Sequence, residues 1–129
     1  MAEEFGVTVG AGSLRTGEGV HFPHRWTDAG VSVETAFTGG HLLNLAAAGC
    51  VLNDLYREAA TLGIELAGVR VSAVGGFDTE TWRSTGITYR VELDSPAPQA
   101  ELDRLLDVVD AVAEIPRALR AGAPVNRAD

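Results

Sequence analysis

Between Leu42 and about Leu62 the chain carries a run of helical period that is apolar on two sides over its first half. Leu43, Ala46, Ala47 and Cys50 lie along one side with Asp54 and Arg57, while Leu45, Leu52, Leu55, Ala59 and Leu62 lie along another. A helix of that kind is expected to be buried nearly all round in its first half, so the rest of the chain must wrap it. With 129 residues, 46% of them hydrophobic, the chain can build one compact core but not two, and residues 1–129 read as a single domain. Gly63 is suited to end the helix as a left-handed cap.

The flanking segments alternate with a period of two. Phe5-Gly6-Val7-Thr8-Val9 reads as a strand, and Gly17-Glu18-Gly19 turns it into Val20-His21-Phe22 as a hairpin, before Pro23 breaks the ladder. Val31 to Phe37 alternates cleanly, with Val31, Val33, Thr35 and Phe37 on one face. Beyond the helix, Val69 to Val74 and Ile87 to Leu93 read as an antiparallel pair joined by the polar stretch Gly75 to Gly86. Gln99 to about Arg120 carries Leu102, Leu105, Leu106, Val109, Val112 and Ala113 at helical spacing, and Pro116 should bend or end that helix. Ala123-Pro124-Val125 is expected to add a short edge strand, with Asn126 to Asp129 frayed. Strands, a buried helix, two strands, a second helix and a short strand make an α+β arrangement.

Charge excludes several classes of partner. A net charge of −8, with all ten cations arginine and none clustered, argues against nucleic acid and against an anionic membrane surface. Met1-Ala2-Glu3-Glu4-Phe5 lacks the basic and apolar regions of a signal peptide, and no apolar run approaches a membrane span. A single cysteine forbids an intrachain disulfide and points to the cytoplasm. Gly10-Ala11-Gly12 and Gly75-Gly76 lack the strand–loop–helix setting of a phosphate loop and read as turns. His21 and His24 bracket Phe22-Pro23, but no third ligand stands at a recognisable spacing, so neither a metal nor an organic cofactor is expected. Glu101, Asp103, Asp107 and Asp110 form a solvated acidic stripe with Arg104 among them.

Cys50 is the residue on which chemistry turns. A thiol attacks as thiolate, so a nucleophilic cysteine needs a cation or a helix N-terminus beside it. Cys50 lies more than two turns into its helix, where the dipole has faded, and its near neighbours Asn53 and Asp54 include a like charge. A nucleophile activated from elsewhere and a small packing residue between alanines are both consistent with this. His41, at the helix entrance, is either an acid, base or substrate contact, or a capping residue with a local hydrogen bond.

Gly39-Gly40-His41-Leu42-Leu43 through Cys50, followed after Leu62-Gly63-Ile64-Glu65-Leu66 by the strand Val69 to Val74, resembles the central-helix region of the OsmC/Ohr family of thiol-dependent hydroperoxide reductases. The run from Ala113 through Pro116 to Val125 is similar to that family's second-helix region. The resemblance implies an intertwined homodimer and a peroxidatic cysteine, here Cys50, near the subunit interface. It also implies a catalytic arginine from the N-terminal strands, for which Arg25, flanked by His24 and Trp26, is preferred over Arg15. Two features depart from the family pattern. Its resolving cysteine is replaced by Ala113, or by Ile115 if the register is read from Pro116, and its arginine-holding glutamate is replaced by Gly40 beside His41.

Two functions follow. One is reduction of organic hydroperoxides by Cys50, with Arg25 and His41 in the site and an external thiol as reductant; the apolar Leu42, Leu43, Leu45 and Val51 favour an organic substrate. The other is a relative without peroxidase chemistry that binds a small apolar ligand, or catalyses a non-redox step, in the interfacial pocket.

Overall fold

The computed structural model describes residues 4–128. Its elements are β1 (Val7–Gly12), β2 (Val20–Phe22), β3 (Val31–Glu34), α1 (Gly39–Leu62), β4 (Gly68–Val74), β5 (Thr88–Asp94), α2 (Gln99–Val112) and α3 (Glu114–Ala121). The five strands form one antiparallel sheet in the order β2-β3-β1-β4-β5. The α+β reading, the long central helix and the β4–β5 pair, with Val71 opposite Val91, are as expected. Met1 to Glu3, part of the stretch on which the signal-peptide reading rests, and Asp129 of the frayed end lie outside the described residues. No described helix is long and apolar enough to cross a membrane.

The core lies between the sheet and α1. Val7, Val9 and Ala11 of β1 and Val69, Val71 and Ala73 of β4 present alternate side chains to Ala48, Val51, Leu52, Leu55 and Ala59 of α1. Alpha2 packs beside α1 through Leu102, Leu105 and Val109, and Tyr89 of β5 donates its hydroxyl to Asp110 of α2. Thr38 caps α1 by accepting the His41 N–H at 3.2 Å, and Gly63 closes it at φ 71°. Buried Asn44 donates Nδ2 to the carbonyls of Phe5 (3.0 Å) and Gly75 (3.1 Å), which fastens α1 to the chain just before β1 and just after β4.

Six expectations need correction. Gly10-Ala11-Gly12 is not a turn but the second half of β1, paired with β4 and, through Gly10 and Ala11, with β3. Beta2 pairs with β3, through His21 opposite Ser32, and not with the first strand. Both edges of β1 are taken by the valine-rich β3 and β4, leaving the exposed β2 at the sheet margin. Beta3 ends at Glu34, so Thr35 and Phe37 lie outside it and are exposed. The second helix is two helices, broken at Ala113 where ψ is 122°. In a continuous helix the Pro116 ring would strike the carbonyl of Val112, whereas in the first turn of α3 its missing N–H has no intrahelical partner to lose. Among the described residues no strand forms after α3, because Ala123-Pro124-Val125 is exposed and joins no sheet. Finally, the first half of α1 is not buried all round in this chain. Leu42 and Ala46 are exposed and Leu43 and Leu45 half-buried, since the sheet and α2 cover only two of its sides.

Candidate active site around Cys50

Cys50 sits where α3 meets the middle of α1. Its side chain is half-buried, and its sulfur approaches Asp54 Oδ2 at 3.6 Å and Glu114 Oε2 at 3.5 Å. One S–H proton is shared between two acceptors. Asp54 is one helical turn beyond Cys50 on α1, while Glu114 is the first residue of α3 and is brought there by the break at Ala113. The backbone N–H of Ile115 points at the same sulfur. Of the two positions available for a second thiol, Ile115 brings its backbone N–H to Cys50 while its side chain is exposed, and Ala113 is buried in the core.

Arg57 closes the cluster. Its Nη1 lies 2.8 Å from Glu114 Oε1 and 3.3 Å from Asp54 Oδ1, and its Nε is 2.9 Å from Glu58 Oε2. Three carboxylates thus face one guanidinium, and the surroundings of the thiol are acidic. Burial pushes the Cys50 thiol up to about 11; the Ile115 N–H pulls the other way, and the charges of Asp54 and Glu114 add to the rise. Glu114 is held down to about 2, first by the hydrogen bond from Arg57. Burial raises Asp54, against the pull of Arg57. In this arrangement the thiolate is roughly one part in ten thousand at pH 7.

The other sequence candidates lie elsewhere. His41 is nine residues before Cys50, about 13 Å along the helix axis. Its Nδ1 is 2.6 Å from Thr38 Oγ1 and its ring stands edge-on to Phe5, the local capping arrangement. Arg25 stacks over Trp26 at 5.3 Å and makes no ion pair among the described residues. It lines a cavity of about 530 Å³ with Trp26, Val33, Leu52, Asp54 and Arg57, so it faces the same side of α1 as the carboxylate cluster without touching the sulfur. Arg15 is engaged by His21 at 2.7 Å. His21 also meets the Glu18 carbonyl and His24 meets Thr27 and Asn53, so the two rings do not converge. A Cβ on Gly40 would lie 2.5 Å from the Phe5 ring, and a glutamate cannot be accommodated there without moving Phe5.

Sequence reasoning noticed Asp54 and Arg57 beside Cys50 but missed Glu114. The helix-breaking Pro116 two residues later was the signal that could have found it, since a new helix start brings both an acidic side chain and free N–H groups. Among the described residues, Cys50, Asp54 and Glu114 are the one group of three possible metal ligands whose atoms lie within 4.8 Å of one another. Arg57 already serves as the cation of both carboxylates.

An antiparallel sheet packed on a long central helix that carries a half-exposed cysteine, met by a second helical layer, defines an α+β thiol protein of the OsmC type. A family model described as OsmC-like protein matches residues 32–127, and the chain belongs to that family. Among solved structures it is similar to an OsmC-like protein from Mycoplasma pneumoniae, with a TM-score of 0.62 and 19% identity over 67% of this chain and 64% of that one. The chain thus spans less than two thirds of that protein's length. It is also similar to an OsmC-like hydroperoxide resistance protein from Jannaschia sp. CCS1, with a TM-score of 0.55 and 13% identity over 93% of this chain and 89% of that one. At these identities the likeness is one of fold. No curated protein matches the chain.

Proposed function

We propose that this chain is a single-cysteine hydroperoxide reductase that takes its second thiol from another molecule. The observation that carries the reading is the half-exposed Cys50 sulfur at the start of α3, with the Ile115 N–H directed into it and Arg57 bound to the two carboxylates that touch it. The likeness to a hydroperoxide resistance protein agrees with it. Arg57 is preferred here to Arg25 as the cation, because it is ion-paired with the two carboxylates that touch the sulfur.

The chemistry balances with an external thiol. The Cys50 thiolate attacks the distal peroxide oxygen, so an S–O bond forms, the O–O bond breaks and the alcohol leaves with a proton. Sulfur is oxidised to sulfenic acid. One external thiol then condenses with it to a mixed disulfide, releasing water; a second thiol cleaves that disulfide, leaves as the oxidised reductant and restores Cys50. The exposed Leu42 and Ala46 on α1, together with exposed Phe22 and Phe37, support a homodimer that covers them, and a reducing compartment such as the cytoplasm would keep the thiol cycling. Cumene hydroperoxide consumption with dithiothreitol tests the reading: wild type should turn over and form a sulfenate detectable by mass spectrometry, and Cys50→Ser should do neither. A wild-type protein without turnover or sulfenate sinks it.

A second reading has its own observation. The cavity of about 530 Å³ pairs apolar walls with Arg25, which no carboxylate among the described residues neutralises. A non-redox protein would bind a small ligand there, with binding lost in Arg25→Ala and kept in Cys50→Ala.

A further inference from the structure

Alpha3 meets the thiol with its first turn yet is lightly seated on the rest of the molecule. Its first residue, Glu114, accepts from the Cys50 sulfur at 3.5 Å, and the Ile115 N–H points at the same atom. Pro116 is its one buried residue. Beneath Pro116 and Leu119 an open cleft of about 280 Å³ extends toward Ile87 and Tyr89, where close-packed side chains would otherwise bind the helix to the sheet. Little apolar burial therefore opposes its departure.

Non-helical backbone brackets α3 where a hinge needs it. Ala113 before it has ψ 122°, and Gly122 after it has φ 75° and ψ 116°. Each end also carries an ion pair. At the first turn, Arg57 of α1 reaches Glu114 at 2.8 Å. At the last, Arg120 places Nη2 3.0 Å from Asp110 Oδ1 and Nη1 3.1 Å from the Asp110 carbonyl, while Tyr89 of β5 donates its hydroxyl to the same carboxylate. Asp110 is thus braced by the sheet and serves as a post for the end of α3. Arg120 lies six residues beyond Glu114, about 9 Å along the helix axis, so this latch acts on the helix and not on the sulfur.

We infer that α3 is a hinged lid over Cys50 and that the Tyr89–Asp110–Arg120 latch sets how often it opens. Closed, the helix blocks the approach to the sulfur from its own side. Open, it withdraws Glu114 and the Ile115 N–H together and admits a larger reactant, such as the external thiol that must reach a sulfenic sulfur. The inference rests on the thiol chemistry of the proposed function, but alkylation measures it without peroxide. N-ethylmaleimide and the bulkier pyrene maleimide, both uncharged, report on Cys50, the one cysteine of the chain. Both react with the same thiolate, so a change in acidity scales the two rates alike and only a change in access moves their ratio.

Arg120→Ala should raise the rate of pyrene maleimide relative to N-ethylmaleimide roughly fivefold, the size that an exposed ion pair supports. Amide hydrogen exchange should quicken in residues 114–121 and stay unchanged in β1 and β4, which shows that the fold is kept. Asp110→Asn should move the ratio the same way, and the double variant no further than Arg120→Ala alone, because both remove one latch. An unchanged ratio in Arg120→Ala overturns the lid, as does a double variant in which the two effects multiply. A latch-dependent ratio without peroxide turnover would end the reductase reading and leave the lid standing, whereas turnover with a ratio that the latch does not move would do the reverse.

Discussion

Burial is the main reason that the Cys50 thiol stays protonated, and Glu114 adds to it: its carboxylate accepts from Cys50 and it engages the Arg57 guanidinium. Glu114→Gln removes a negative charge beside the sulfur, while Arg57 keeps its ion pairs to Asp54 and Glu58. The thiol pKa should fall from about 11 by roughly one unit, a tenfold gain in thiolate at neutral pH. Iodoacetamide alkylation of Cys50 followed against pH measures it; an unchanged midpoint would show that burial alone sets the thiol. In wild type the same titration should rise only in strongly alkaline solution, because a raised pKa keeps sulfur neutral until pH approaches it. Cys50 and Asp54 were legible in the sequence as helical neighbours. Glu114, 64 residues away, was not, because only folding sets it 3.5 Å from the sulfur.

Alpha3 is the element on which this site depends, and it is lightly held. Pro116 is its one buried residue, and the Arg57 bond to Glu114 ties its first turn to α1. Glu114 has a folded pKa near 2, below its ordinary value, so its ion pair stabilises the docked helix above about pH 4.5 and fades as pH falls toward 2. Amide hydrogen exchange in residues 114–121 should accelerate over that window before the sheet is affected, and added salt should weaken the effect since the pair is exposed. Protection that stays constant down to pH 2 would place the docking in apolar contacts instead. At the other end of α1, Gly63 adopts φ 71°, and a Cβ added there would meet nothing within 4 Å. Gly63→Ala should therefore cost about 1 kcal/mol in urea unfolding, purely from backbone conformation. That cap was readable from sequence, as was an interruption of the helix in the region of Pro116. The break three residues earlier was not, because the proline's clash falls on the carbonyl four residues before it.

Across the whole molecule, one apolar cluster joins β1, β4, α1 and α2, and Leu105 at its centre is fully buried. Leu105→Ala should destabilise by about 2 to 5 kcal/mol, read as a lower urea midpoint. The open side of α1 carries the apolar residues that the sheet and α2 leave uncovered. Sedimentation equilibrium should accordingly give twice the 13.5 kDa chain mass, and Leu42→Asp should shift the equilibrium toward monomer. A monomeric wild type would mean that this face stays in water.

The sequence by itself determined the α+β class, the extent of the central helix, the β4–β5 pair and the place of the lone thiol. Each follows from period, caps and turn residues acting within a few positions of one another. Strand pairing and the setting of Cys50 were decided by tertiary structure. Which edge of β1 receives β2, β3 or β4 depends on competing burial among distant valines. A thiol's acidity depends on the charges that folding brings to it. Here Asp54 comes from the thiol's own helix, while Glu114 and the Ile115 N–H come from a helix that starts only because the chain breaks at Ala113.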